Sequence, residues 1–279
     1  MKDSEFPMNI PVHVIIVTHN SATLLPVCLA HLNAQRQPIS TVIIVDSGSE
    51  DSRYLDNLDC RWPIVVVKNR NIGFGRANNI GFQQIQGDDG VVVFLNPDTF
   101  LPVDFLAGAV NRLEANPLAG AISGKLLGFD LKQMKATGKI DSTGIYRRWY
   151  GRWYDRGQGQ DDTGQYEKEE SVPALCGALM VCRLLALKED CGQPFDPDFF
   201  LYKEDIELSI RLRKRGWELI YSAALPAFHC RGWNQNRQSI PYELRIIAAK
   251  NEVLLYKKHP SIYVLWALMK MLLVKVFRL

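Results

Sequence analysis

Short β-branched runs alternate with longer helical patterns over the first third of the chain. Four of these runs are nearly all apolar, as strands covered on both faces of a sheet are. They span residues 12–17, 41–45, 64–67 and 91–95. Between the first two runs, apolar residues recur at helical spacing over residues 24–32. The alternation predicts an α/β fold with a mostly parallel sheet flanked by crossover helices.

The remainder of the chain shows helical patterns and one less regular stretch. The pattern indicates helices over residues 104–114, 204–215 and 242–279, with a Gly-rich irregular stretch up to Gly164. No internal repeat, low-complexity tract or linker interrupts the sequence. We therefore predict one domain over residues 1–260, followed by an amphipathic C-terminal helix over residues 261–279.

Bulk composition changes this picture little. The chain has 279 residues, 47% of them hydrophobic, which is enough for an ordinary globular core. Its formal net charge of +3 is too small to indicate a nucleic-acid partner. Six cysteines without a C-x-x-C pair indicate neither a zinc site nor a dense disulfide framework. Residues 1–11 lack an apolar run of signal-peptide form, and no stretch reaches about 20 apolar residues, so we expect a cytoplasmic protein.

Polar residues follow each of the four predicted strands. The strand tips are Thr18-His19-Asn20, Asp46-Ser47-Gly48-Ser49, Asn69-Arg70-Asn71 and Asn96-Pro97-Asp98-Thr99. In open α/β sheets the ligand crevice lies outside the carboxyl ends of the strands, so we expect the four tips to converge on one site. Loops are polar in general, so the polar residues of any single tip are equally well explained by their position in a loop. The agreement of all four favours a site.

Two aspartates at these tips suit a nucleotide ligand. Asp98 lies in a loop that Pro97 makes rigid, and it can hold a divalent cation against two phosphates, because Mg²⁺ often takes only one or two protein carboxylates. Asp46 can accept a hydrogen bond from a ribose hydroxyl or from the ring N–H of uracil or thymine. Asn-Pro-Asp is also a common turn, and Asp46 can equally cap the next helix. The residues alone leave these roles open.

A glycine-containing turn leads into a helix over residues 71–79 (NIGFGRANN). Backbone N–H groups at such a turn can meet a diphosphate. The segment lacks the final glycine and the downstream acid of a dinucleotide fingerprint, and no Walker lysine is present, which disfavours dehydrogenases and phosphate-loop enzymes. The candidate donor-binding residues of this turn and of the strand tips are Thr18, Asn20, Asp46, Gly73, Arg76, Asn78, Asn96 and Asp98.

Glu204 and Asp205 are the first residues of the helix predicted over residues 204–215, and both are predicted to be catalytic. The helix dipole favours an ionised carboxylate there, which is what a general base must be, although acids at a helix start are also common for stability alone.

Residues 146–154 interleave aromatic residues with arginines. This pattern suits a sugar or phosphate surface, or equally a β-hairpin with inward rings and solvated arginines. The candidate acceptor-binding residues are Trp149, Trp153, Gly177 and Tyr202.

Five segments occur in the order seen in family 2 glycosyltransferases, and together they most closely resemble the bacterial rhamnosyltransferase-like branch. They are residues 14–20 (VIIVTHN), 45–49 (VDSGS), 71–78 (NIGFGRAN), 94–99 (FLNPDT) and 199–208 (FFLYKEDIEL). The resemblance spans about residues 12 to 260 and implies a GT-A fold.

The resemblance also implies roles for single residues. It implies that Asp46 binds the donor base, that Asp98 ligates Mg²⁺ or Mn²⁺, and that Asp205 is the catalytic base. His229, in the segment 228–232 (FHCRG), aligns with a histidine that approaches the metal or the diphosphate in related enzymes. A lone histidine after a strand is also often structural.

One departure from the family pattern bears on the donor. Many members carry Asp-x-Asp at the metal site, whereas this chain has Asn96 at the first position. The Asn-Pro-Asp form is typical of the branch assigned to deoxysugar or furanosyl donors. The resemblance therefore implies inverting transfer of a sugar, preferably L-rhamnose from dTDP-L-rhamnose, to a glycan acceptor in bacterial surface polysaccharide synthesis, such as that of O-antigen.

Three alternatives stay open. The donor can be a UDP-hexose or UDP-galactofuranose, and the chain can be a non-catalytic glycan- or nucleotide-binding module, although such a module has no need for both Asp98 and Asp205. A nucleotidyltransferase fits less well, because Thr18-His19-Asn20-Ser21 follows the first strand where those enzymes carry a Gly-rich basic loop.

The C-terminal segment bears on the acceptor. Residues 261–279 contain Trp266, Phe277 and a Leu/Met run, with Lys270 and Lys275 between them. This composition is typical of a helix lying in the membrane interface, which suits a lipid-linked glycan acceptor at the inner face of the cytoplasmic membrane. A helix packed in the core or between the subunits of a homo-oligomer is the alternative.

Overall fold

The computed structural model describes residues 10–189, 192–230 and 240–278. Most of the segment 1–11 lies outside the described residues, so the expectation drawn from it stays a prediction. Residues 231 and 232 of the His229 segment also lie outside them.

The four predicted strands pair in parallel within one sheet. They are β1 (Val12–Thr18), β2 (Thr41–Ser47), β3 (Ile64–Asn69) and β4 (Val91–Leu95). β1 pairs in parallel with both β2 and β4, and β2 pairs in parallel with β3. Thr18 lies opposite Asp46 in the ladder, so the ends of these strands reach the same edge of the sheet. The predicted α/β fold is confirmed.

The other strands of the described chain add antiparallel pairings and one further parallel pair. They are β5 (Thr99–Phe100), β6 (Ala119–Asp130), β7 (Lys135–Ser142), β8 (Ile145–Arg147), β9 (Trp153–Asp155), β10 (Glu170–Ser171), β11 (Leu179–Arg183) and β12 (Glu218–His229). The sheet has the order β10-β12-β6-β11-β4-β1-β2-β3, with β5 beside β12 and β7 beside β6. β11 runs antiparallel to both β4 and β6, so the sheet as a whole is mixed. β8 and β9 form a separate hairpin.

Helices cover both faces of the sheet. They are α1 (Leu25–Asn33), α2 (Phe74–Phe82), α3 (Phe105–Ala115), α4 (Leu184–Lys188), α5 (Glu204–Lys214), α6 (Tyr242–Lys258) and α7 (Val264–Phe277). Alternate residues of each strand enter different cores: Val14 and Ile16 join one cluster, and Ile15 joins the other. Because both faces are covered, the strands read as continuous apolar runs.

Two twelve-residue strands, β6 and β12, were not expected from the sequence pattern. β6 begins with small residues because its neighbours come very close. A Cβ at Gly124 would overlap the carbonyl oxygen of Leu225, and a Cβ at Gly120 would press on the Trp217 side chain. Such glycines lower the apparent β-propensity of a strand while meeting a packing need that only the fold reveals.

The C-terminal segment forms two helices rather than one. α6 ends at Lys258, just before Pro260, whose ring cannot continue a helical hydrogen-bond pattern. α7 then packs against α6: Trp266 donates to the buried Glu252 at 3.2 Å, and Lys270 pairs with the same carboxylate. In the described part of the chain, no helix has both the length and the apolar character needed to span a bilayer. The division into residues 1–260 and 261–279 stays a prediction.

Candidate active site

Two adjoining cavities lie at the carboxyl ends of the parallel strands. The first, of about 310 Å³, is lined by Asp98 and is called the Asp98 cavity. The second, of about 320 Å³, is lined by Asp205 and is called the Asp205 cavity. Phe74, Asn96 and Leu201 line both. The two predicted acids therefore face neighbouring parts of one cleft, with Asn96 between them.

Strand pairing brings His229 to Asp98. The short strand β5 follows Asp98 and pairs with the end of β12, where Thr99 lies opposite His229. His229 Nε2 thereby lies 3.3 Å from Asp98 Oδ1. On the other side of the ring, Nδ1 lies 2.7 Å from Oδ2 of Asp141, a fully buried residue at the end of β7. The imidazole is thus held between two carboxylates.

These contacts set the charge of the imidazole. Burial alone would lower the pKa of His229, but its hydrogen bonds with Asp141 and Asp98, aided by their negative charge, outweigh burial and raise the pKa to about 9.

The residues of this pair fit a divalent cation. A carboxylate oxygen and an imidazole nitrogen whose proton the cation has displaced both serve as ligands for Mn²⁺, and Mg²⁺ accepts one or two protein carboxylates with phosphate and water. The Asp141–His229 contact has the form of the carboxylate–histidine contact that orients metal-binding imidazoles. Within the described residues no cluster of three His, Cys, Asp or Glu side chains is placed to hold an ion. Substrate oxygens would therefore have to complete the coordination of a cation at Asp98 and His229.

Asp205 is held by backbone donors at the start of α5. The N–H of Gly177 donates to Oδ2 at 3.0 Å, and the N–H of Ile206 donates to Oδ1 at 2.8 Å. A Cβ at Gly177 would lie only 3.1 Å from the Asp205 Cβ, which explains the glycine there. The carboxylate is partly exposed and faces the cavity, as a proton acceptor must.

Glu204 differs sharply from its neighbour. It is only 6% exposed, and its Oε2 has no hydrogen-bond partner among the described residues. Burial, together with the smaller effect of the charge of Asp205, raises the pKa of Glu204 to about 8. Glu204 therefore keeps its proton at neutral pH, whereas Asp205 has the exposure that a base requires.

The loop before Asp205 is strained and supported from outside. Tyr202 and Lys203 have φ values of 72° and 76°, a left-handed conformation that non-glycine residues rarely adopt. Asn251 of α6 donates from Nδ2 to the carbonyl oxygens of Leu201 at 2.9 Å and Tyr202 at 3.1 Å. Strain of this kind persists only where surrounding contacts impose it, and it clusters at functional sites.

The predicted donor turn contacts the same loop. Gly73 has φ 84°, and a Cβ there would overlap the carbonyl oxygen of Phe200. The N–H of Phe74 donates to that oxygen at 2.8 Å, and Nε of Arg76 donates to the carbonyl oxygen of Pro197 at 2.7 Å. Gly73 lines the Asp98 cavity, whereas Arg76 lines neither cavity. The turn therefore packs directly against the loop that precedes Asp205. The donor role of Arg76 stays a prediction.

Thr18 and Asp46 share a hydroxyl network behind the cleft. The Tyr54 hydroxyl lies 2.8 Å from Thr18 Oγ1 and 3.0 Å from Ser49 Oγ, which in turn donates to Asp46 at 2.5 Å. Neither Thr18 nor Asp46 lines either cavity. The contact with Ser49 is of the local kind that a capping role involves. Binding of the donor base by Asp46 stays a prediction.

Asn20 and Asn78 also make local contacts. Asn20 Oδ1 accepts the N–H of Glu50 at 2.8 Å and so joins two strand tips. Asn78 donates to the Phe74 carbonyl oxygen at 3.1 Å within α2. Neither residue lines the cavities, so their donor roles are untested by the geometry.

Three of the four predicted acceptor residues meet at the Asp205 cavity. Trp153, Gly177 and Tyr202 line it, whereas Trp149 is 86% exposed at the tip of the β8–β9 hairpin and lines neither cavity. Residues 146–154 thus form the hairpin that was one of the two interpretations of their pattern. Contact of these residues with an acceptor stays a prediction.

Two supporting residues escaped the sequence analysis. Asp141 lies 88 positions from His229 in a Gly-rich stretch with no recognisable motif. Asn251 is buried in α6 next to the buried Glu252 and among apolar residues, and a polar residue at a buried helix position is the one signal that could have drawn attention to it.

The sequence has recognisable relatives. The family model described as glycosyl transferase family 2 matches residues 13–180, more than half of the chain. A Mycobacterium tuberculosis protein named N-acetylglucosaminyl-diphospho-decaprenol L-rhamnosyltransferase is 28% identical over 247 residues, covering 80% of this chain and 77% of that protein. Rhamnosyltransferase WbbL of Escherichia coli strain K12 is 24% identical over 246 residues, covering 78% of this chain and 81% of the relative.

Solved structures share the fold at lower identity. The crystal structure of GalNAc-T7 with UDP, GalNAc and Mn²⁺ superposes with a TM-score of 0.64 at 17% identity. The match covers 91% of this chain and 48% of the other, so this chain spans about half of that protein's length. The likeness confirms the expected GT-A fold. Together with the match of the family model, it leads to one conclusion: the chain belongs to glycosyl transferase family 2.

Proposed function

We propose that this chain is an inverting glycosyltransferase that moves L-rhamnose from dTDP-L-rhamnose to a lipid-linked glycan in bacterial surface polysaccharide synthesis. One observation carries the chemistry: Asp98 lines one cavity, and His229, which contacts Asp98, lines the adjoining cavity together with Asp205. The names of the two curated relatives support rhamnose as the sugar, and that of the Mycobacterium tuberculosis protein supports a lipid-linked acceptor.

The Asp98 cavity is the proposed donor site. Asp98 and His229 would hold Mg²⁺ or Mn²⁺, which supplies positive charge to the departing diphosphate. Asp141 fixes the imidazole so that Nε2 points to Asp98. Gly73 of the predicted donor turn lines the same cavity.

The Asp205 cavity is the proposed acceptor site. Asp205 takes the proton of the acceptor hydroxyl as that oxygen attacks the anomeric carbon from the face opposite the diphosphate, so the configuration inverts. The N–H groups of Gly177 and Ile206 hold the carboxylate in place during this step. Because Glu204 keeps its proton, it places no second negative charge beside the base.

The exposed face of α7 supports a location at the membrane. Leu265, Leu272 and Phe277 are 71%, 60% and 64% exposed. Apolar side chains on an exposed helix, with Lys275 among them, are typical of a helix in the interface of a bilayer. Peripheral contact at the cytoplasmic face would bring the cleft to an acceptor carried by a membrane lipid.

The test of this function is transfer by the whole chain with Mg²⁺ or Mn²⁺ and a panel of donors. We expect dTDP-L-rhamnose to be used, and NMR of the product to show an inverted anomeric configuration. The Asp205→Asn variant should bind donor nearly normally in a thermal-shift assay but turn over roughly 10²–10⁴-fold more slowly, because it lacks the base. The Asp104→Asn variant, which changes an exposed carboxylate on α3's N-terminal side, is the matched control.

Two results would contradict the proposal in different ways. Near-normal turnover of Asp205→Asn would remove Asp205 from its role. Transfer from UDP-hexose or UDP-galactofuranose, with none from dTDP-L-rhamnose, would reject the donor and leave the reaction class standing.

A further inference from the structure

The tip of the β8–β9 hairpin carries three arginines that the proposed reaction does not use. Arg147 and Arg148 are exposed and Arg152 is half-buried. None of the three forms an ion pair with a carboxylate within the described residues, whereas Arg156, at the end of the same hairpin, pairs with Glu170 at 2.7 Å. Within the described residues, no carboxylate therefore pairs with their positive charge.

Two of these guanidinium groups lie on rings that line the Asp205 cavity. Arg148 lies 4.1 Å from the ring centre of Tyr154, and Arg147 lies 5.4 Å from that of Trp153. Both rings belong to the cavity wall. Stacking on an aromatic face holds a guanidinium in position while leaving its N–H groups available. The hairpin thus carries fixed positive charge one aromatic ring away from the cavity that contains Asp205.

The same hairpin continues into the apolar surface of α7. The rings of Tyr150 and Trp266 meet edge to face at 4.7 Å, and Arg147 lies 4.2 Å from the ring centre of Tyr263. Gly151, with φ 109°, lets the hairpin backbone approach Tyr263 so closely that a Cβ there would clash with it. The Asp205 cavity, the arginines of the hairpin and the apolar face of α7 therefore lie next to one another on one continuous surface.

We propose that Arg148 and Arg152, with Arg147 beside them, bind the phosphate or diphosphate that joins the acceptor sugar to its lipid. This inference rests on the proposed function, because it takes the Asp205 cavity as the acceptor site. Such an acceptor carries, in order, a reacting hydroxyl on a sugar, a phosphate or diphosphate, and an apolar chain. The surface offers matching groups in the same order: Asp205 with the aromatic rings of the cavity wall, then the arginines, then α7. Guanidinium is the side-chain group that best matches phosphate oxygens in geometry and charge.

The experiment compares two acceptors that carry the same sugar. One bears it on a lipid diphosphate, and the other bears it on an uncharged alkyl chain of equal length; both are presented in neutral detergent micelles. The readout is the ratio of KM for the diphosphate acceptor to KM for the alkyl glycoside. In the Arg148→Gln/Arg152→Gln double variant we expect this ratio to rise about tenfold or more, because charge-assisted hydrogen bonds to phosphate are lost.

The matched control is the Lys132→Gln/Lys135→Gln double variant. These residues lie at the exposed turn between β6 and β7 and line neither cavity, so the variant removes the same charge elsewhere. Its KM ratio should stay at the wild-type value. Arg147 is left intact because it joins the hairpin to Tyr263. Thermal unfolding of all variants checks folding, and the single variants serve if a double variant is unstable.

Each outcome bears on a different statement. An unchanged ratio, or an equal rise for both acceptors, would overturn the arginine site while wild-type transfer still upholds the glycosyltransferase. Failure of the wild-type chain to use either acceptor would instead count against the proposed function. If the double variant loses only its binding to vesicles containing anionic lipid, with no change of ratio in micelles, the arginines recognise headgroups and the proposal is wrong.

Discussion

At the scale of single residues, the contact between Asp141 and His229 determines what His229 can do. A histidine that ligates a metal through one ring nitrogen needs its other nitrogen hydrogen-bonded, because this fixes the tautomer and the ring orientation. The 2.7 Å contact to a fully buried carboxylate meets that need. We therefore predict that Asp141 is a positioning residue that acts through His229.

The Asp141→Asn variant tests this role by keeping the shape and removing the charge. We expect Mn²⁺ affinity in the presence of dTDP to fall by about 10–100-fold, the range typical for loss of such an orienting carboxylate. Mn²⁺ binding followed by electron paramagnetic resonance measures the effect without any turnover. Asp104→Asn should leave Mn²⁺ affinity intact, and wild-type affinity in Asp141→Asn would exclude the positioning role.

The raised pKa of Glu204 leads to a prediction about how the stability of the protein depends on pH. Burial raises the pKa of Glu204 from an ordinary value of 4.5 to about 8. The folded state then holds a proton that the unfolded state has released between these pH values. The associated stabilisation is fully present below about pH 4.5 and is lost as the pH rises through about 8.

Replacement by glutamine removes this titration. The free energy of unfolding of Glu204→Gln relative to the wild type should therefore increase between pH 5 and pH 8, by on the order of a few kcal/mol, because each pKa unit corresponds to about 1.4 kcal/mol. Urea unfolding of both proteins at the two pH values measures the difference. Glu114→Gln, an exposed change on α3, is the control; an equal pH dependence in Glu204→Gln and wild type would show that Glu204 is ionised in the folded protein.

At the scale of elements, the predictable parts are those whose signals are local. The four apolar strands and their polar tips can be located from the sequence because each strand is buried on both faces and each tip ends at the same sheet edge. The Asp98–His229 pairing could be expected only from family resemblance, because it depends on β5 meeting β12 across 130 residues of chain. Long-range pairing leaves no periodic signal.

The elements that could not be predicted are those whose residues are determined by a neighbouring element. β6 is rich in small residues because β12 approaches it closely, so its composition reflects a neighbour rather than its own strand propensity. The left-handed backbone at Tyr202 and Lys203 likewise reflects outside support, from Asn251 of α6. The resemblance implies that Asp205 is the base, but the strain in the backbone before it could not be predicted from the residues themselves.

At the scale of the whole molecule, the question is what covers the outer face of α7. On its inner face Ala267 and Val274 are buried, and Lys270 forms an ion pair with Glu252 of α6. The helix is therefore part of the folded body, and its exposed leucines are held at fixed positions. This fixed apolar face lies beside arginines that pair with no carboxylate of the described residues. Such a surface suits a bilayer that contains anionic lipid, because the bilayer is apolar inside and anionic at its boundary.

Two charged substitutions on that face test the membrane contact in the intact chain. Leu265→Glu/Leu272→Glu should reduce co-flotation with vesicles containing anionic lipid by about tenfold or more, since burial of each leucine contributes roughly 1.5–3 kcal/mol. Leu118→Glu/Leu185→Glu adds the same charge at leucines that are 62% and 54% exposed elsewhere, and it should float like the wild type. If flotation is unchanged in the α7 variant while sedimentation shows a wild-type dimer becoming monomeric, the face packs between subunits instead, and the lipid-linked acceptor must reach the cleft by another surface.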